Sequence, residues 1–364
     1  MGNAAAVRRR IGVVEEVRKL YWMWHMDRRS RAPIQRKLWL WRRGFTVLSG
    51  ELYGLPRRDL QDFLPDFHAT HLIKPINASL AFYRHKAAQR ALLLAAGIPQ
   101  TPTIAALWKG RVVLHPFSEQ AEPVDPEGLT AWLLADGGRF IVKPEDGGRG
   151  AATYLLEPED GALVVRRGSQ RTAFRPEDFM GRLTLIERRI EQAAAWRALF
   201  PETLNTIRAL TLWPRDGDGP FLARAIQRIG GPESIPCDNF AGGGIAAEID
   251  IATGRLGPGR RKRAGGPGIT HHPATGAPVE GVVLPQWDEI VATALRAARS
   301  MPMNCYVGWD IFVDAGGHVI VGEASGSTDV DIYQVHRGLL ADPRVRGFFE
   351  ETGVISGVSA RRGP

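Results

Sequence analysis

Cysteine is scarce in this chain. Only Cys237 and Cys305 occur in 364 residues, far apart in sequence. That excludes a disulfide framework and leaves no CxxC pair for a structural metal. Such usage fits a reducing compartment, so a cytoplasmic location is expected. Long apolar runs are missing too, and no transmembrane helix is expected without a stretch of about 18 apolar residues. The Arg-rich N-terminus lacks an apolar segment and a small-residue cleavage site, so it does not read as a secretory signal. No internal repeat occurs, and no nucleic-acid-binding module is recognisable. A βαβ rhythm is absent as well, which excludes a parallel doubly wound sheet and predicts an α+β chain.

What is present is an ordinary globular composition, 44% apolar and 24% charged, long enough for two or three lobes. The net charge of +8 is uneven. From Arg8 to Arg58 the chain is rich in Arg and Lys and poor in acids, with Trp22, Trp24, Trp39 and Trp41 among them. Three readings are open. The plainest is a helical lobe with core tryptophans and solvated arginines. The segment could instead meet an anionic membrane surface, where aromatic rings and cations both suit the headgroup region, or bind nucleic acid.

Apolar spacing predicts helical structure over Val7 to Phe45, broken at Pro33, a helix from Ile76 to Ala96 capped by Asn77 or Ser79, and a helix from Trp287 to Ser300. Hairpins are expected around Asp160-Gly161, through Pro214 to Gly219, and through Ala315-Gly-Gly317. The Gly-, Pro- and Arg-rich stretch Gly254 to Gly281 reads as an extended surface loop.

Three features carry chemistry. Phe140-Ile-Val-Lys-Pro144 is an apolar strand ending in lysine, followed by Asp146-Gly-Gly-Arg-Gly150. Glycines there let backbone N–H groups approach phosphate oxygens, and Arg149 adds charge. No GK[ST] follows, so this is not a P-loop. Alone, such a loop is more often a plain turn. Next, Tyr306 to Val313 and Val319 to Glu323 place Asp310 and Glu323 on consecutive strands, where paired carboxylates suit Mg²⁺. Alone, such a pair is more often two solvated acids. Last, Leu185-Ile-Glu-Arg-Arg-Ile-Glu-Gln192 leaves a strand for a polar segment. The adjacent His271 and His272 point apart and have no third ligand at zinc spacing. Gly322-Glu-Ala-Ser-Gly326 has the wrong spacing for a nucleophile elbow.

Taken in order, these pieces resemble the ATP-grasp superfamily, and within it the sugar-transfer-associated ATP-grasp proteins. The resemblance also runs through His85-Lys86 to Gly97-Ile-Pro-Gln-Thr-Pro102, Asn205-Thr-Ile-Arg208, Arg228, Asp238 to Gly244, His272 to Gly276 and Pro285 to Glu289. It covers roughly Asp59 to Leu340. It implies two α+β subdomains gripping ATP, with Lys86 and Lys143 on the phosphates and Gly147, Gly148, Arg149 and Gly150 as the flexible loop. It further implies Glu187 and Ile190 by the adenine, Glu191 by the ribose, and Asp310 and Glu323 on Mg²⁺. Arg208 and Arg228 would hold the acyl phosphate or substrate carboxylate. Typical members read Glu-x-Asn at the last metal ligands, whereas this chain has Glu323-Ala324-Ser325, a weaker oxygen donor at the third place. A Rossmann-like first lobe, common in the superfamily, is not recognisable.

The implied chemistry is an ATP- and Mg²⁺-dependent carboxylate–amine ligase working through an acyl phosphate. Its alternatives are a phosphotransferase acting on a hydroxyl and a degraded nucleotide-binding member. The family name points to surface polysaccharide or glycoconjugate assembly, with a small-molecule carboxylate and an amine or sugar as substrates, and with contact to the inner membrane face or to glycan-assembly proteins as a further expectation. The expected organisation is a basic, Trp-rich helical region over 1–78, a first subdomain over 79–190, a second over 191–350 and a loose tail over 351–364. Every nucleotide motif lies beyond Tyr83, so loss of the first 45 residues is expected to leave ATP binding intact if that lobe serves location or acceptor contact.

Overall fold

Two antiparallel sheets organise the chain in the computed structural model, which describes residues 16–79, 83, 85–146, 153–167, 170–263 and 266–355. The first sheet contains β1 (Thr103–Trp108), β2 (Arg111–Leu114), β3 (Glu122–Val124), β4 (Phe140–Pro144), β5 (Tyr154–Glu159), β6 (Ala162–Arg167), β7 (Gln170–Ala173) and β8 (Thr184–Arg188), in the order β3-β2-β1-β8-β4-β5-β6-β7. The second contains β9 (Ile207–Leu212), β10 (Phe221–Ile229), β11 (Ile245–Ile249), β12 (Leu256–Arg260), β13 (Tyr306–Val313) and β14 (Val319–Ser325), in the order β12-β11-β10-β9-β13-β14.

Local chemistry explains the joins. Asp160 and Gly161 have φ of 49° and 79°, and both lie between the paired residues Glu159 and Ala162. That is the two-residue hairpin geometry needing two left-handed positions. Helix Pro126–Asp136 escaped the sequence reading, although its punctuation is plain. Asp125 accepts from Gly128 N, proline opens the first turn, and Gly137 closes it in the left-handed region. This helix covers one face of the first sheet with Leu129 and Leu133.

In the second sheet alternate residues serve opposite faces. Ile207, Ala209, Val307, Trp309 and Ile311 pack on helix Trp287–Arg299. The other face is shared. Leu210, Leu212 and Ile226 pack with Met23, Leu40, Trp41 and Phe45 from the N-terminal region and with Phe348 and Phe349 from helix Pro343–Glu351. Trp41 is therefore core and Trp22 and Trp39 pack partly against it, whereas Trp24 is exposed. Buried Asp27 accepts from Trp41 Nε1 at 2.7 Å and from Val47 N at 2.9 Å. Those two bonds tie the helical residues 16–27 to helices Ile34–Trp41 and Val47–Leu52.

Two expectations need correction. The helix placed from Ile76 begins only at Lys86 and runs to Ala95. Asn77 is not its cap. Its amide donates to Tyr306 O at 2.8 Å and Gly326 O at 2.9 Å and accepts from Tyr306 N, extending the backbone pairing of β13. The expected loop Gly254 to Gly281 contains β12, paired to β11 at the sheet edge. An edge tolerates Pro258, and Gly259 gives room to Ile245, whose side chain lies 2.5 Å from where a Cβ would stand. The very residues that look like a loop are the ones this edge needs.

Candidate active site between the sheets

Register assembles the charged face of the second sheet. Asp310 on β13 pairs with Arg208 on β9 and with Glu323 on β14. Directly opposed residues point to the same side of a sheet. Ile226 on β10 opposes Arg208, and Arg228 two residues on shares that side. Arg208 grips the Asp310 carboxylate with Nε at 2.5 Å and Nη2 at 3.0 Å, and donates to Thr328 Oγ1 at 2.8 Å. Arg228 Nη2 lies 3.1 Å from Asp310 Oδ2 and 3.1 Å from Asp238 Oδ1. Burial works against the Arg208 cation, but the Asp310 and Glu323 carboxylates outweigh it and hold its pKa above the ordinary value. Tyr333, fully buried beneath it, is pushed up to about 12 by burial and stays a neutral phenol.

Asp238 and Thr206 complete this corner. Thr206 donates from N at 2.7 Å and from Oγ1 at 2.6 Å to Asp238 Oδ2, and its hydroxyl accepts from Arg228 Nε at 2.9 Å. Neither has a role legible from sequence, although both lie in stretches that carry the resemblance. The missing signal is the pairing itself, which joins residues 32 apart in sequence.

The first sheet contributes Lys143 at the end of β4. Lys143 opposes Leu185 on β8 and Ile141 opposes Glu187, so Lys143 and Glu187 are diagonal neighbours on one side. Lys143 Nζ is 2.8 Å from Glu187 Oε2, and Arg90 Nη2 is 2.6 Å from Glu187 Oε1. Arg90 also donates to Thr101 O at 2.7 Å and to Thr103 Oγ1. Glu187 is thus a buried counterion for two cations. Gly147, Gly148, Arg149 and Gly150 lie outside the described residues. A cavity of about 330 Å³ opens beside Lys143, lined also by Val142, Tyr154, Phe179 and Thr184. Arg208, Arg228 and Asp310 are not among its lining residues.

One helix joins the two halves. Lys86 Nζ lies 3.2 Å from Glu145 O at the end of β4 and 3.7 Å from Glu323 Oε1 on β14. Buried Gln89 exchanges hydrogen bonds with Ala324, donating to its O at 2.9 Å and accepting from its N at 2.8 Å. Arg90, the next residue, reaches β8. The same helical turn therefore holds β14 through Gln89 and the first sheet through Arg90. A second crossing follows β8, where Glu191 O accepts from Ala315 N at 2.8 Å and Gln192 bridges to Asp314. Ile190 is half-buried at this crossing and Glu191 is exposed.

The oxygen donors suit a hard cation. Asp310 and Glu323 are carboxylates on paired strands, and half-buried Ser325 follows two residues later on the same side of β14. Among the described residues no group of three or more His, Cys, Asp or Glu could hold a metal ion. With two guanidiniums already on Asp310, these residues fit a Mg²⁺ ion that arrives with phosphate better than a free one. Asp331, a conceivable extra ligand, is instead paired with Lys262. Of the two adjacent histidines, His271 is exposed and His272 is buried against Gly230 O at 2.8 Å. Burial lowers the His272 pKa, so it serves as a neutral structural ring.

The pattern of the family described as sugar-transfer associated ATP-grasp matches residues 132–347. Similar solved structures include the ATP-grasp ligase PsnB complexed with precursor peptide and AMPPNP, at 18% identity and a TM-score of 0.40, covering 75% of this chain and 60% of that one. Biotin carboxylase from Campylobacter jejuni gives 10% identity and a TM-score of 0.45, covering 77% and 49%. D-alanine-D-alanine ligase from Coxiella burnetii gives 16% and 0.40, covering 84% and 65%. The chain spans less than two thirds of the length of each. No curated protein sequence matches it.

Proposed function

The chain belongs to the sugar-transfer-associated ATP-grasp family, and from that premise we propose that it is an ATP- and Mg²⁺-dependent ligase that activates a carboxylate as an acyl phosphate. The observation that carries this reading is the convergence of Arg208 and Arg228 on Asp310, opposite Glu323, with Lys86 spanning from β4 to β14.

In this reading Lys143 and Lys86 bind the phosphate chain from the two sides, placing two ammonium groups where charge spreads during transfer. The assignment of Gly147, Gly148, Arg149 and Gly150 to the phosphates and of Ile190 and Glu191 to the nucleoside belongs to the same proposal. Of the two ways Glu187 could meet the base, side chain or backbone, the second is favoured here, because its carboxylate already holds Lys143 and Arg90. Asp310 and Glu323 would hold Mg²⁺, with Ser325 beside them, and the ion would supply charge neutralisation of the phosphates. Arg208 and Arg228 hold the substrate carboxylate in line with the γ-phosphate. A carboxylate oxygen bonds to that phosphorus as the bond to the ADP oxygen breaks. An amine then attacks the acyl carbon, inorganic phosphate leaves, and the ammonium proton passes to solvent. The enzyme provides positioning and charge, not a covalent nucleophile.

The family description motivates a carboxylate and an amine or sugar from surface polysaccharide or glycoconjugate synthesis, in the cytoplasm. The same proposal divides the chain into a helical region to residue 78, a first subdomain over 79–190 and a second over 191–350. A degraded, nucleotide-binding member is favoured by one observation, Ser325 where the family pattern has Asn. The test is ADP and phosphate release with a panel of amino acids and sugar acids. ADP with equimolar free phosphate and an amide product supports the ligase. ADP without free phosphate points to phosphotransfer, and nucleotide binding without turnover on any acceptor points to decay.

A further inference from the structure

The N-terminal helical region carries two properties that rarely coincide on a free surface. Residues 16–58 contain eleven Lys and Arg against three acids, an excess equal to that of the whole chain. One of those acids, Asp27, is buried, so only Glu16 and Glu51 oppose the cations at the surface. The same segment exposes apolar side chains. Among the described residues, seven of the twelve large apolar side chains left exposed fall between Val17 and Leu48.

Their arrangement follows the helix. Leu20, Met23 and Asp27 turn inward, while Val17, Tyr21 and Trp24, at spacings of four and three, are 61%, 67% and 53% exposed. The rings of Tyr21 and Trp24 touch, with centroids 6.0 Å apart. Ile34 and Leu38 repeat the pattern on the next helix, Ile34–Trp41. Arg18, Arg28, Arg29, Arg31, Arg42 and Arg43, in the same two helices and the turns that follow them, are exposed as well.

We infer that this face is a docking surface for an anionic lipid bilayer. Charge complementarity and side-chain chemistry together select that occupant. Nucleic acid would use the arginines and leave the aliphatic stripe in water, since phosphate contacts need no Val17 or Ile34. A bilayer interface takes both, with aromatic and aliphatic groups at the headgroup boundary and guanidiniums on the lipid phosphates. No helix among the described residues is long and apolar enough to cross a membrane, so contact would be with one leaflet. The inference is independent of the proposed ligase activity, because it rests on a different surface.

The test is co-sedimentation of the full chain with vesicles of phosphatidylcholine alone and with added phosphatidylserine. Binding is expected only to the anionic vesicles and should fall in high salt. Val17→Asp with Trp24→Asp should lower the partition coefficient by roughly tenfold or more at unchanged thermal stability, since both side chains face solvent. Arg28→Glu with Arg29→Glu and Arg31→Glu should do the same by removing the preference for anionic lipid. The inference is overturned if the chain ignores anionic vesicles or binds neutral ones equally. Variants that bind like wild type overturn it too. So does an apolar variant that loses self-association or nucleic-acid binding while its lipid binding is intact.

Discussion

Arg90 provides the sharpest test of how the site is held. Its guanidinium is buried, 2.6 Å from Glu187, which in turn is 2.8 Å from Lys143. Replacing it by methionine keeps most of the stem and removes the charge. Breaking a buried ion pair from one side costs about 3–5 kcal/mol, because a charge is left without its partner. Here Lys143 remains, so the lower end, about 3 kcal/mol, is expected for Arg90→Met in chemical denaturation. A second effect separates this network from ordinary packing. With Arg90 gone, Lys143 becomes the sole cation on Glu187 and is drawn from the phosphates. ATP affinity measured by calorimetry should then fall by about tenfold, or 1.4 kcal/mol. In a Glu187→Gln background the same substitution has little charge left to strand, so its cost should shrink by more than about 1 kcal/mol. If Arg90→Met is nearly neutral, or costs the same in both backgrounds, the three residues do not act as one network.

Lys143→Ala should weaken ATP binding by roughly ten- to a hundredfold, the loss of one charge-assisted contact, and Arg149→Ala by less; equal losses would remove Lys143 from the phosphates. Asp310→Asn should abolish Mg²⁺-dependent turnover while the fold persists, since shape is kept and charge is lost, and full activity would refute the site. Asp66 is half-buried and its pKa is raised from 3.8 to about 6, chiefly by desolvation. A raised carboxyl pKa gives stability that is complete below about pH 4 and is lost as pH climbs through 6, on the order of 3 kcal/mol. Asp66→Asn should lack that falling step, and parallel stability–pH curves would contradict it. Deleting the first 45 residues should prevent folding, because Met23, Leu40, Trp41 and Phe45 leave the shared core at about 2–5 kcal/mol each, against a total near 5–15; a folded, ATP-binding truncation would restore the expectation drawn from motif positions.

That last reversal shows where sequence reading succeeds and fails. Asp310 and Glu323 were legible because a hairpin is local, and its register brings two strand positions face to face. The place of Lys143 at the end of β4 was legible because a strand ending in lysine before a glycine run is local as well. Arg90 was not, since its partner is nearly a hundred residues away and nothing in helical spacing distinguishes it from a solvated arginine. Gln89 reads as a neutral polar residue, yet it holds the backbone of β14 midway between Glu323 and Ser325. The N-terminal lobe hid its role differently. It holds no nucleotide motif, but its side chains finish the core beneath the second sheet, where the candidate site lies.

The same contrast bears on how the proposed substrates would enter. The cations and anions of the second sheet are already matched: Arg208 with Asp310, and Arg228 with Asp310 and Asp238. A matched cluster attracts a free ion weakly, because every new contact must displace an old one. An incoming anion that engages Arg208 and Arg228 leaves Asp310 exposed beside Glu323, and the vacated carboxylate then favours a cation. In the proposed ligase, anion and cation binding would therefore be coupled through one aspartate, and each should tighten the other. The coupling requires no moving lid, only guanidiniums long enough to exchange a carboxylate for a phosphate or a substrate, which is what two arginines on neighbouring strands provide.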